Sequence, residues 1–95
     1  MRIVALRAGG AHPSKAVLLQ VVSLSPEGRI SIDEMRRRCR ILDALEKADD
    51  RLQLEDADHE ILVKAIENFP FEIAHRDILA VVDDVIAAAA APADR

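Results

Sequence analysis

Apolar residues recur at helical spacing through most of this chain. In "KAVLLQVVSL" they fall at 17, 18, 21, 22 and 24, one face of a helix over 15–24, with Ser14 placed to cap it. The β-branched valines there pull toward a strand. A second helix is predicted over 32–48. Ser31 and Glu34 match the S-x-x-E capping box, and Ile32, Met35, Cys39, Leu42 and Leu45 form one stripe. That stripe makes Cys39 a small buried residue rather than a nucleophile. Leu52 and Leu54 alternate around Gln53, a short extended signature. Asp56 then caps a third helix over 57–68, with Ile61, Leu62, Ala65, Ile66 and Phe69 inward and Pro70 as its stop. A fourth helix over 74–90 turns Ala74, Ile78, Val81, Val82, Val85 and Ile86 inward. Val63 and Leu79 fall outside these inner faces.

The pattern predicts a mainly α fold: a small bundle of three to four helices, with a minimal two-stranded β element joining Ile30–Ile32 to Leu52–Leu54. "SPEG" reads as a β-turn leading into it. Residues 14–91 make a single helical domain, preceded by a poorly defined segment 1–13 and followed by a frayed tail, 92–95. No internal repeat is visible.

Composition sharpens this picture. The chain has 95 residues, 51% of them hydrophobic, yet its only aromatics are Phe69 and Phe71, which suits packed helices better than a sandwich of strands. At 32% charged residues it does not read as a membrane protein. A single cysteine excludes an internal disulfide, and a cytoplasmic location is expected. "AVLLQVVSL" has signal-peptide length but neither a basic segment before it nor a cleavage site after it. The overall charge of −4 divides unevenly, +5 over residues 1–40 and −9 over residues 41–95. Such polarity can steer a partner or orient self-association.

Candidate chemistry is sparse. Laid over Ser23–Glu34, a calcium loop finds Gly28, Ile30, Ser31 and Glu34 in the right places. It lacks the leading carboxylate, has Pro26 where the chain must wrap, and offers only Glu27 and Glu34. The stretch is therefore read as architecture. Arg36, Arg37, Arg38 and Arg40 could face phosphates, but Asp33, Glu34 and Asp43 stand at helical pairing distance from Arg37, Arg38 and Arg40. Asp49, Asp50, Glu55, Asp56, Asp58 and Glu60 read as a charged helix start rather than a cation site. His12, His59 and His75 show no metal-ligand spacing. No nucleophile elbow, phosphate loop or acid–base pair appears, so no enzyme and no cofactor are expected.

The leading expectation is a non-catalytic protein–protein interaction module, a small regulator or an assembly or adaptor protein, including one carried by a mobile element. It would act through a helical surface as a weak homodimer or with another protein, and without a membrane. Arg36, Arg37, Arg40, Val63 and Leu79 are its candidate contact residues. The alternatives are a nucleic-acid-binding regulator using the Arg36–Arg40 face, and a weak cation-binding domain using Glu27 and Glu34.

Overall fold

The structure, a computed structural model, describes residues 1–25 and 28–88. Among the described residues, four helices and one two-stranded antiparallel sheet surround a single core, the mainly α bundle that the periodicity predicts. The order is β1 (Arg2–Ala5), α1 (Ser14–Ser23), α2 (Ile32–Lys47), β2 (Arg51–Leu54), α3 (Asp56–Asn68) and α4 (Arg76–Ile86). No helix among the described residues is long and apolar enough to cross a membrane.

The sheet is the main departure from expectation. β2 pairs with β1, with Val4 opposite Leu52 and Arg2 opposite Leu54. It does not pair with Ile30–Ile32. "RISI" alternates more cleanly than "RIVA", but Ile32 cannot serve both a strand and a helix. The hydroxyl of Ser31 accepts from the amide of Glu34 at 3.1 Å, starting α2 at Ile32 and leaving that side chain 66% exposed. Val4 instead joins Leu52 and Leu54 in the core.

Segment 1–13 is correspondingly well defined. Beyond β1, Leu6 is buried and its amide donates to the carbonyl of Asp50 at 2.9 Å. The buried Ser14 hydroxyl accepts from the Arg7 amide at 2.8 Å, while the Ser14 amide donates back to the Arg7 carbonyl at 2.9 Å. Ser14 therefore fastens the incoming chain and is not a helix cap. Gly10 takes a φ of +86°, a conformation that side-chain-bearing residues rarely adopt. There the Asp77 carboxylate accepts from the Ala11 amide at 2.9 Å.

α1 is helical despite its valines, and Val17, Leu18, Val21 and Val22 are buried as the spacing requires. α2 covers only the C-terminal part of the expected stripe, Leu42 and Leu45, and adds Ile41. Ile41 and Leu45 reach the core, with Leu42, Ala44 and Ala48 packed beside them, whereas Ile32, Met35 and Cys39 are exposed. The first turns of α2 project past the core, so apolar spacing there finds nothing to cover it. The capping box is half made as well. Glu34 turns to Arg38, whose Nε donates to it at 3.0 Å.

α3 is the central helix, touching α1, α2, α4 and β2. A helix packed from several sides hides more than one stripe. Val63, expected to face out, is accordingly half-buried against the core. Asp56 is the first residue of α3 rather than its cap, and pairs with the Met1 ammonium at 3.0 Å. α4 is shorter than expected. His75 caps it, Nδ1 accepting from the Asp77 amide at 3.0 Å. Ile78, Val81 and Val85 are buried, whereas Ala74 and Ile86 are exposed and Val82 only half-buried.

Candidate interaction surface

The arginine face of α2 is largely occupied. Asp58, near the start of α3, is only 5% exposed, yet it faces two cations. Its Oδ1 accepts from Arg37 at 3.4 Å and from Arg40 at 3.1 Å. A carboxylate held this far from water requires such partners. The hydrogen bond and charge of Asp58 in turn raise the Arg40 guanidinium above its ordinary value. Arg37 also approaches Asp33 at 3.5 Å. Arg36 is exposed and has no ion-pair partner among the described residues. Arg38 serves the fold. One guanidinium nitrogen donates to the carbonyls of Val22 at 3.2 Å and Leu24 at 3.0 Å, satisfying acceptors at the C-terminal end of α1.

The calcium-loop overlay leaves little to work with. Gly28, with a φ of +88°, closes a turn in which its amide donates to the Ser25 carbonyl at 2.9 Å. Glu34, which would have to clasp an ion with both oxygens, lies 2.9 Å from Arg38. Pro26 and Glu27 lie outside the described residues. The acidic group is dispersed, Asp56 turning to the N-terminus and Asp58 to the arginines.

The histidines took structural parts that local spacing did not reveal. His59 is buried, and its Nε2 donates to the Val85 carbonyl at 2.9 Å, capping the last turn of α4. His75 caps the other end of that helix, with the His12 ring edge-on at 4.6 Å. The His59–Val85 and His12–His75 contacts join distant segments, so spacing within one helix could not predict them, whereas the His75 cap is local.

Beside α4 lies an apolar opening. Leu79 is 60% exposed and Ile73 is 54% exposed, large values for aliphatic side chains. They share a groove of about 770 Å³ with Phe71, Ile78 and Val82, bordered by His75, Arg76 and Asp77. A second groove, of about 560 Å³, shares Phe71, Ile73 and Ile78 with the first and continues to Val17, Leu24 and Phe69. The two make one continuous apolar surface from the end of α1 to the outer side of α4. Of the two aliphatic candidates, Leu79 lies on this surface and Val63 lies against the core.

Comparison with protein-family models, curated proteins and solved structures finds no match to this chain.

Proposed function

We propose that this chain is a non-catalytic protein-interaction module whose contact surface is the groove between α4 and residues 69–75. The observation that carries this reading is the exposure of Ile73 and Leu79 over an apolar floor. Aliphatic groups gathered into one groove favour an occupant that covers them. The occupant is a protein helix with an aliphatic face: the groove is flanked by both signs of charge, Arg76 and Asp77, not by the single-sign field a phosphate backbone selects.

The ionisable groups support a structural assignment. Asp58 fastens α3 to α2, Asp84 holds Arg7 at 2.6 Å, His59 and His75 cap the two ends of α4, and Glu34 pairs with Arg38 within α2. The nucleic-acid alternative is weakened because Arg37 and Arg40 both turn to Asp58, and the cation alternative because Glu34 turns to Arg38. A cytoplasmic setting is part of the proposal, and the exposed Cys39 thiol fits a reducing compartment.

The test places a diazirine-bearing aliphatic residue at position 79 of the full chain in expressing cells. The expected result is a protein adduct after illumination that disappears in Ile73→Lys and is absent with the same group at Gln53, on exposed β2 surface. No protein adduct above the Gln53 control, or a nuclease-sensitive adduct, overturns the proposal.

A further inference from the structure

The outer side of α4 carries two opposite charges, Arg76 and Asp83, with Leu79 and Ile86 beside them. Arg76, Leu79, Asp83 and Ile86 follow at steps of three, four and three residues. At about 100° per residue they fall within about 80° of arc, one stripe along the helix. All four are exposed, and Ile86 is 50% open to solvent. Arg76 and Asp83 have no ion-pair partner among the described residues. They carry opposite charges and stand equally far from the point between Leu79 and Ala80.

We infer that the occupant of the α4 groove is α4 of a second copy of this chain, antiparallel, about a two-fold axis passing between Leu79 and Ala80. The inference rests on the groove being a protein-docking surface and names what docks there. An isologous contact requires a surface complementary to itself. Rotation about an axis lying between two antiparallel helices keeps each rim of the stripe on its own side. Arg76 and Asp83 share a rim, so Arg76 of each copy meets Asp83 of the other, and the pair forms twice. Leu79 of each copy lies beside the axis and is covered. Ile86 extends toward the end of the groove that holds Ile73. Parallel packing about an axis along the helices would put the Arg76 and Asp83 rims of the two copies on opposite sides, so the pairs would not form. The contact is one helix wide, at the small end of specific interfaces, so the dimer is weak.

Sedimentation velocity of the full chain, followed to millimolar concentration, tests this. Association should be weakened by roughly tenfold in Arg76→Glu and by a similar factor in Asp83→Arg, since each change turns two attractions into repulsions. The double variant restores the pairs with reversed polarity, and its association should return to that of the parent chain. Circular dichroism confirms that each variant retains its helix content. A monomer at every concentration, or a double variant no better than the single ones, overturns the inference. A monomeric chain that still gives an adduct at position 79 with a different protein overturns it while leaving the docking proposal intact. Absence of any protein adduct there removes both.

Discussion

Replacing Arg38 with alanine should be the most damaging single change on the arginine face of α2, although its neighbours look equivalent in sequence. The guanidinium bridges three groups: the carbonyls of Val22 and Leu24 and the Glu34 carboxylate. The Val22 bond is partly buried, and losing a charged hydrogen bond there costs about 1.5 kcal/mol. The Leu24 carbonyl is exposed and rehydrates, so about 0.5 kcal/mol is lost. The Glu34 pair, four residues away on one helix, adds about 0.4 kcal/mol. The aliphatic stem, largely covered, contributes a further ~0.7 kcal/mol, and the better helix propensity of alanine returns a few tenths. The expected destabilisation is about 3 kcal/mol, a fall in Tm of roughly 10–20 °C for a domain this small. Arg38→Lys keeps charge and stem but not the planar fork, and should cost about half as much. Arg36→Ala should be nearly neutral. Urea denaturation followed by circular dichroism at 222 nm is the suitable assay, because the chain has no Trp or Tyr to report by fluorescence. Equal midpoints for Arg38→Ala and Arg36→Ala would refute this account of how α1 is fastened to α2.

Gly10→Ala should destabilise by about 1–2 kcal/mol in the same assay, since φ is positive there and a Cβ would sit 2.5 Å from the Asp77 carboxylate; an unchanged midpoint would mean that this approach is not maintained. The Asp56 carboxyl lies below its ordinary 3.8, first through the hydrogen bond from the Met1 ammonium and then through its charge. That bond is complete above about pH 4 and is lost as pH falls through the lowered value. Carboxyl NMR should therefore show Asp56 titrating late, and acetylation of Met1 should move it back upward; no movement would disprove the pairing. Calcium at millimolar concentration should leave the amide spectrum around Gly28 unchanged, whereas a saturable shift lost in Glu34→Gln would restore the cation-binding alternative.

The helices were legible wherever a strong local signal stood alone. Ser31 started α2, Pro70 stopped α3, and the 17, 18, 21, 22 spacing of α1 placed its buried face. Failures arose where local pattern favoured the wrong segment or where burial depended on distant elements. "RISI" alternates more cleanly than "RIVA", and only the cap at Ser31 removes it from competition. The apolar stripe of α2 runs continuously through Ile32 and Met35, but the core does not extend that far. Val63 looked outward on an amphipathic count and became covered because α3 is central. The exposure of Leu79 was legible because its position lies off the inner face of α4. The pairings of Asp58 with α2 and of His59 with α4 join groups that no sequence period relates.

Arg7 meets Asp84 through two bonds, at 2.6 and 3.0 Å, and Ala11 meets Asp77, across separations of 77 and 66 residues. The first segment thus grips the last helix at two points, while β1 also pairs with β2 in the middle of the chain. Closing so long a loop carries an entropy cost that only the finished contact offsets, and such non-local contacts slow folding. The contacts between α4 and the first segment are accordingly expected to form late in folding. Cutting away residues 1–11 would remove these polar ties and leave the helix that carries the proposed docking surface held by α1 and α3 alone, although no residue of that helix had been touched.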